Sequence, residues 1–195
     1  MTSESALNNI HKAGLFGNHK NKKEENLLKI SEIKNLLIVQ IVQYKNSSIL
    51  IGDLDIDGLK LKNEPLNVVN NKDTRILWNS PKNWLLVSKK KDLLEDILKI
   101  FKETDFAITN LSHSRSIIEI EGNMACEVLK KGSPLDINKL KSGNCANTVY
   151  NGVTITLDFV SNKPSIIRIF GLRSFGESLY HSITDACLEF GYKCL

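Results

Sequence analysis

The pair Asn151-Gly152 constrains the fold of this chain more than any other feature of its sequence. Both residues tolerate a positive φ, which the tight two-residue turn of a β-hairpin requires. A strand pattern lies on each side of the pair. In the segment 153–159, apolar and polar residues alternate with the period of two that places successive side chains on opposite faces of a strand. We therefore predict an antiparallel hairpin centred on these two residues.

Further strand and helix patterns predict an α+β protein. Strands are expected over 36–44, 75–78, 84–88, 107–111, 116–121 and 166–170, and helices over 49–51, 91–103, 124–131 and from Ser174 to about Phe190. For the third helix, Asn123 is the expected N-cap and Gly132 the expected left-handed terminator. The closing helix begins at a capping-box pattern, Ser174 to Glu177, and its expected buried stripe includes Phe175.

The order of these elements predicts two domains of similar plan. Residues 1–30 show little periodicity and are expected to form a mobile N-terminal arm. Residues 31–105 and 106–195 each follow the order strand, helix, two strands, helix, although the halves share no convincing residue identity. The predicted fold is therefore two ferredoxin-like α/β units packed together.

Composition and charge exclude several classes of protein. The chain has 195 residues, 42% of them apolar and 25% charged, as expected of a soluble globular protein. Its first ten residues lack the basic flank and apolar core of a secretory signal, and no segment is long and apolar enough to cross a bilayer. We expect a cytoplasmic protein. The net charge is only +4, and Lys20, Lys22 and Lys23 are followed at once by Glu24 and Glu25, so no nucleic-acid surface is predicted.

The cysteines and histidines do not have the spacing of a metal site. Cys126, Cys145, Cys187 and Cys194 form no CxxC pair, and the four histidines are scattered along the chain. In a reducing compartment these thiols are expected to be small buried apolar residues. Cys194, near the C-terminus, is the one expected to be most exposed. No metal ligand is predicted.

An acidic segment has the ligand spacing of a calcium-binding EF-hand loop. Asp53, Asp55, Asp57 and Glu64 occupy the first, third, fifth and twelfth positions, with Gly58 at the sixth. However, Pro65 interferes with the rigid helix that should leave such a loop. We therefore favour an acidic turn after a short helix, and keep a calcium-binding module as an alternative.

Other candidate residues fit structural or interface roles better than catalysis. Ser112 and His113 are adjacent, so on a strand their side chains point to opposite sides and do not form a nucleophile–base pair. His113 or Arg115 is expected to tie neighbouring strands or to meet a partner chain. There is no nucleotide- or flavin-binding motif. Trp78 and Trp84, which flank the turn at Pro81, are expected to be core or interface anchors.

Several short passages occur in a characteristic order along the chain. The central one runs from Thr109 to Ile137 and contains LSH-x-R followed by KG-x-PLD. The others are Ser5-Ala6-Leu7, Ile76-Leu77-Trp78, Trp84-Leu85, Cys145-Ala146-Asn147-Thr148, Arg173-Ser174-Phe175, Ser178-Leu179 and Glu189-Phe190-Gly191-Tyr192. Together they resemble the small gamma subunit of heterotetrameric sarcosine oxidase. Tyr180, where many relatives carry Trp, and Ser133, where many carry Cys, are mild departures.

The resemblance implies a function that the residues alone do not indicate. The family's enzyme demethylates sarcosine to glycine, produces hydrogen peroxide, and passes the one-carbon unit to tetrahydrofolate as methylenetetrahydrofolate. FAD, FMN, NAD and the folate site belong to the alpha and beta subunits, and the small delta subunit can carry zinc. The gamma subunit has a fold related to aminomethyltransferases and folate-binding proteins, and no assigned catalytic residue. The implied role is architectural, with no cofactor bound by this chain.

The same residues leave two other functions open. One is the equivalent subunit of a related dehydrogenase of N-methyl amino acids, such as one acting on N-methylglutamate. The other is a free-standing folate-binding or aminomethyltransferase-like protein. If the chain is a subunit, we expect it to have a partner surface, and that surface could self-associate when the chain is isolated. The residues expected at that surface are Trp78, Trp84, His113, Arg115, Phe175 and Tyr180.

Overall fold

The computed structural model describes residues 4–195, which form two compact units. The first unit comprises the chain up to Lys34 together with Ser114–Ser142 and Asn147–Leu195. The second comprises Asn35–His113 and Gly143–Ala146. The first unit is therefore discontinuous in sequence, whereas the predicted domains 31–105 and 106–195 are continuous.

The described residues form fourteen strands and three α-helices. The strands are β1 (Gly14–Phe16), β2 (Leu28–Glu32), β3 (Leu37–Gln43), β4 (Asp55–Ile56), β5 (Leu59–Lys60), β6 (Val68–Asn70), β7 (Thr74–Ser80), β8 (Asn83–Ser88), β9 (Phe106–Asn110), β10 (Arg115–Glu121), β11 (Cys145–Tyr150), β12 (Val153–Asn162), β13 (Ser165–Leu172) and β14 (Tyr192–Cys194). The helices are α1 (Leu93–Ile100), α2 (Ala125–Lys130) and α3 (Gly176–Cys187). Short 3-10 turns occur at Glu24–Asn26, Ile51–Asp53, Ile137–Lys139 and Arg173–Phe175.

The first unit is built on a seven-stranded sheet with the order β1-β14-β2-β10-β13-β12-β11. The pairing of β14 with β2 is parallel, and β10 pairs antiparallel with both β2 and β13. Alternate residues of these strands form one core with α2 and α3, because a period of two places them on the same face. That core includes Ile30, Ile118, Leu157, Ile169 and Leu179, each no more than 2% exposed.

The second unit is built on a five-stranded sheet with the order β6-β7-β8-β3-β9, beside the two-stranded hairpin of β4 and β5. Its strand pairs are antiparallel. Helix α1 contributes Leu93 and Ile97 to the core, four residues apart and thus on one face. Trp84, Phe101 and Phe106 are the largest fully buried side chains of this core.

The periodic segments of the sequence fold as predicted. The α+β class is confirmed, as is the hairpin at Asn151 and Gly152, whose φ values are 45° and 83°. The predicted strands correspond to β3, β7, β8, β9, β10 and β13, and the longer predicted helices correspond to α1, α2 and α3. None of the described helices is both long and apolar enough to cross a membrane.

Other local predictions are wrong. The helix expected over 49–51 is a 3-10 turn at Ile51–Asp53, and α2 has Met124 rather than Asn123 at its N-cap, without a side-chain cap. Gly132 is not left-handed; it is needed because an added Cβ would lie 2.7 Å from the ring of Tyr150.

The N-terminal segment also differs from the predicted arm over 1–30. It contains β1 and most of β2, and Leu7 is fully buried in the core of the first unit. Both strands are held by distant parts of the chain, because β1 pairs with β14 and β2 pairs with β14 and β10. Local periodicity does not reveal such long-range pairing.

Candidate functional site

The two tryptophans predicted as anchors lie opposite each other in β7 and β8. Trp84 is 1% exposed, belongs to the core of the second unit, and donates from Nε1 to the Lys62 carbonyl at 2.7 Å. It is therefore not a surface anchor, because β8 lies between β7 and β3 and is buried along most of its length. Trp78 is half-buried and donates to Asn63 Oδ1 at 3.1 Å. Its predicted role at a partner surface stays a prediction.

Tyr180 is likewise removed from the predicted surface. It is 5% exposed on α3, and its hydroxyl lies 3.1 Å from both Cys194 Sγ and His11 Nδ1. Burial raises the pKa of the Tyr180 hydroxyl and also that of the Cys194 thiol. Cys194 is 1% exposed, so the prediction of an exposed thiol is wrong. The reason is that β14 lies between β1 and β2 in the sheet.

Ser112 closes the turn that follows β9. Its Oγ accepts a hydrogen bond from the Ile38 amide at 3.0 Å and donates to Asn110 Oδ1 at 2.7 Å. The serine hydroxyl is thus occupied by structural contacts that tie the end of β9 to β3. His113 follows on the exposed side of this turn. The predicted tie between neighbouring strands is present, but Ser112 rather than His113 makes it.

Arg115 begins β10 in the first unit and is half-buried. Its guanidinium donates to two oxygens of Ser114, the carbonyl at 3.4 Å and the hydroxyl at 3.2 Å. Burial lowers the pKa of this guanidinium, and no neighbouring charge among the described residues offsets that effect. A half-buried cation held only by neutral oxygens is suited to pair with a carboxylate from another molecule.

A cleft of about 540 Å³ lies where β13 ends and α3 begins, and we refer to it as the α3 cleft. Its lining residues are Ala6, Ser114, Leu172, Arg173, Ser174 and Glu177. Leu172, which lies opposite Arg115 in the β10–β13 pair, is 42% exposed, and Phe175 is 49% exposed. Phe175 is outside the predicted buried stripe because Arg173–Phe175 forms a 3-10 turn and α3 starts only at Gly176.

The α3 cleft has a defined polar framework. The Arg173 amide donates to the Ser114 carbonyl at 2.9 Å, and the Arg173 guanidinium donates to the Glu4 carbonyl. Gly176 permits close packing here, since a Cβ at this position would lie 3.1 Å from Ala6 Cβ and 3.2 Å from Ser116 Cβ. The cleft thus combines exposed apolar side chains with charges of both signs. Leu172 and Arg173 are not recognisable as surface residues from the sequence, since nothing in their local pattern distinguishes them from the end of a core strand.

The acidic segment with calcium-loop spacing forms the hairpin of β4 and β5. Asp57 and Gly58 occupy its turn with φ of 54° and 76°, and Gly58 donates to Asp55 Oδ1 at 2.8 Å. Asp57 accepts hydrogen bonds from Lys90 Nζ at 2.5 Å and Thr74 Oγ1 at 2.6 Å, which lower its pKa to about 2. The described residues include no group of three His, Cys, Asp or Glu side chains arranged to hold a metal ion.

Two further ionisable groups with shifted pKa values are buried in the first unit. Burial raises the pKa of Cys187 and of Tyr150 to about 12 in each case. The Tyr150 hydroxyl donates to the Val128 carbonyl at 3.1 Å. Both groups are therefore neutral near pH 7 and serve packing, because a nucleophilic thiol or phenol needs a lowered pKa and access to substrate.

Comparisons with known proteins give a consistent picture of sequence and fold. No protein-family model matches this chain. The chain is 29% identical over 126 residues to sarcosine oxidase subunit gamma of Corynebacterium sp. (strain U-96). That alignment covers 60% of this chain and spans 58% of the relative, less than two thirds of its length.

Solved structures extend the likeness to nearly the whole chain. A chain of heterotetrameric sarcosine oxidase from Corynebacterium sp. U-96, solved in complex with pyrrole 2-carboxylate, matches with a TM-score of 0.80 and 21% identity, covering 96% of this chain and 95% of that one. Glycine cleavage system aminomethyltransferase T from Bartonella henselae matches with a TM-score of 0.59 and 14% identity, covering 82% of this chain and 46% of that one. The predicted resemblance to the gamma subunit of sarcosine oxidase and the predicted aminomethyltransferase-like fold are both confirmed.

Proposed function

We propose that this chain is the gamma subunit of a heterotetrameric sarcosine oxidase and that it has an architectural role without catalytic residues of its own. The observation that carries this proposal is the mutual coverage with the oxidase chain, 96% of one and 95% of the other. The same fold match covers only 46% of the aminomethyltransferase. The aligned region therefore accounts for nearly all of the oxidase chain but for less than half of the aminomethyltransferase.

In this proposal the catalysed reaction takes place on partner subunits in the cytoplasm. The complex would demethylate sarcosine to glycine, reduce oxygen to hydrogen peroxide, and transfer the one-carbon unit to tetrahydrofolate. The alpha and beta subunits would hold FAD, FMN, NAD and the folate, with a small delta subunit completing the tetramer. The contacts of Ser112, Tyr150, Tyr180 and Cys187 support an architectural role for this chain, since each side chain is engaged in packing or structural hydrogen bonds.

The α3 cleft and Arg115 are the surface that best suits a partner. Phe175 and Leu172 expose apolar area that is favourable to remove from water. Arg115 adds a cation without a carboxylate partner among the described residues. Aromatic side chains, Phe included, and arginine are enriched at protein–protein interfaces relative to the rest of the surface. We infer that a partner subunit covers Phe175 and places a carboxylate near Arg115.

Purification of the tagged chain from its own cells tests this function. We expect two larger chains and one small chain to co-elute with it. The variant Phe175→Asp should weaken this association roughly tenfold or more, because burying a Phe side chain is worth about 1.5–3 kcal/mol and the new carboxylate must also be desolvated. The control variant Phe175→Leu keeps an apolar side chain and should assemble.

The outcomes of this experiment test the proposed partner surface and the subunit assignment separately. Normal assembly of a folded Phe175→Asp variant would show that partners bind elsewhere, without affecting the subunit assignment. Elution of the wild-type chain alone, without flavin, would contradict the assignment itself. Tight tetrahydrofolate binding by that lone chain would favour a free-standing folate protein.

A further inference from the structure

Strand β9 is an open edge of the five-stranded sheet in the second unit. It pairs with β3 on one side, and no strand of residues 4–195 pairs with its other side. An open edge presents unpaired backbone donors and acceptors to any extended chain that approaches it. Thr109 and Asn110 are exposed and Ile108 is half-buried, so this edge is accessible in the isolated chain.

The hydrogen-bond pattern identifies which backbone groups of β9 are free. In an antiparallel pair, alternate residues bond to the partner strand and the residues between them point away. The Leu111 amide donates to the Ile38 carbonyl at 2.7 Å, and the Tyr44 amide donates to the Asp105 carbonyl at 2.8 Å. Because Ile41 lies opposite Ile108 in this register, the backbone N–H and C=O groups of residues 105, 107, 109 and 111 point toward β3.

Residues 106, 108 and 110 consequently point their backbone groups away from the sheet. The Phe106 amide is used, since it donates to the Lys102 carbonyl at 2.9 Å. This leaves the Phe106 carbonyl and both backbone groups of Ile108 and Asn110 without a partner among the described residues. Groups on alternate residues recur about every 6.8 Å along a strand, and an added strand presents its own groups at the same spacing. We refer to these five groups as the β9 edge.

The side chains of β9 do not protect this edge. Natural edge strands usually carry charges, prolines or bulges that prevent further pairing. The five residues from Phe106 to Asn110 include no charge and no proline, and the register of β9 with β3 is regular throughout. Ile108 lies on the core face beside the apolar cluster of this unit. A residue directly opposite Ile108 on an added strand would share that face, so an apolar side chain is favoured there.

We propose that the β9 edge binds an extended segment of a larger partner subunit, which adds a sixth strand to the five-stranded sheet. The segment would run antiparallel to β9, like the other pairs of this sheet, with uncharged residues facing the edge and an apolar residue opposite Ile108. The partner identity rests on the proposed function.

The size of the edge favours a larger partner over a second copy of this chain. A stable interface of standard size uses about 20–30 residues on each side. The β9 strand supplies five. Two copies joined only through β9 would fall well below that size, whereas a subunit that also contacts the chain elsewhere would not.

Amide hydrogen exchange on the purified complex and on the isolated chain tests the proposal without a mutation. In the isolated chain we expect the amides of Ile108 and Asn110 to exchange fast and those of Ala107 and Thr109 to exchange slowly. In the complex, the amides of Ile108 and Asn110 should slow at least about tenfold, as expected for hydrogen bonds formed in an added strand. Unchanged fast exchange of both amides in an intact complex would overturn the proposal and leave the subunit assignment standing.

A backbone substitution gives a second test. Ile108→Pro removes an amide hydrogen that this chain does not use, and proline is tolerated on edge strands. We expect it to fold with a somewhat lower unfolding midpoint, because the half-buried Ile108 side chain loses packing, and to weaken assembly about tenfold. Ile108→Val, which keeps the amide, should assemble normally. Equal assembly by folded Ile108→Pro contradicts the proposal. If the Ile108 amide is protected only when the chain self-associates, a second copy binds the β9 edge and the proposal is wrong. If the chain is recovered from its cells without larger subunits, both this proposal and the proposed function are wrong.

Discussion

Replacement of Asp57 by Asn measures how much the acidic hairpin contributes to the stability of the second unit. Asp57 lies in the turn between β4 and β5 with a φ of 54°, a conformation that Asn also tolerates. The substitution therefore removes the negative charge while retaining the turn. It separates the ion pair with Lys90 from the backbone geometry of the hairpin.

The size of the expected loss of stability follows from the surroundings of the Asp57 carboxyl group. Hydrogen bonds from Lys90, Thr74 and Asn71 lower the pKa of Asp57 from 3.8 to about 2. Since one pKa unit corresponds to ~1.36 kcal/mol, the upper bound on the stabilisation at neutral pH is about 2 kcal/mol. The Lys90 side chain is 43% exposed, so solvent screening reduces the expected value to about 1 kcal/mol. For a chain of this size the melting temperature of Asp57→Asn should fall by about 2–4 °C.

The pH dependence distinguishes this ion pair from other effects of the substitution. A carboxyl group with a lowered folded-state pKa stabilises the protein above its unfolded-state pKa and loses that contribution as pH falls through its folded-state pKa. The difference in unfolding free energy between wild type and Asp57→Asn should therefore be complete at pH 5, decrease below pH 3.8, and be largely lost near pH 2. Urea unfolding at these pH values measures it.

Two results would refute this account. One is a stability difference that persists unchanged at pH 2, which would assign the effect to packing rather than to charge. The other is a rise of several degrees in the wild-type melting temperature on addition of calcium, which would support the calcium-loop alternative.

Two further substitutions test the packing of the units. Trp84→Ala should lower the unfolding free energy, measured by urea titration, by about 3–5 kcal/mol. Trp78→Ala, at a half-buried position, should lower it clearly less. Equal losses in the two variants would contradict the assignment of Trp84 to the core. Gly132→Ala should lower the unfolding free energy by about 1–3 kcal/mol, because the new Cβ would lie 2.7 Å from the Tyr150 ring. In the control Gly52→Ala the new Cβ would have no atom within 4 Å, so the unfolding free energy should stay within about 0.5 kcal/mol of wild type.

The parts of the fold that could be predicted from sequence are those with a clear local period. The alternating residues of β12, the hairpin at Asn151-Gly152 and the amphipathic pattern of α1 carry their own structural information. Strands β1 and β2 do not, because they are short and are held by residues far along the chain. The capping-box pattern at Ser174 shows a different limit, since Arg173–Phe175 forms a 3-10 turn and no side-chain cap is made.

The candidate surface was harder to predict than the fold. Residue type alone does not determine whether an aromatic side chain faces the core or solvent. Trp84, predicted as a core or interface anchor, and Tyr180, predicted at the partner surface, are buried, while Phe175 is half-exposed. The exposed position of Leu172 and the half-buried position of Arg173 depend on where β13 ends and α3 begins. Which backbone groups of β9 are free depends on which of its alternate residues bond to β3, and no sequence pattern encodes that choice.

Native mass spectrometry of the complex purified from its own cells, with a visible spectrum recorded on the same sample, tests the proposed role most directly. We expect one copy of this 21.9 kDa chain with two larger chains and one small chain, and a yellow flavin spectrum that bleaches when sarcosine is added. Loss of this chain should disrupt the assembly rather than the flavin chemistry of the other subunits. A colourless preparation that contains this chain alone would contradict the account.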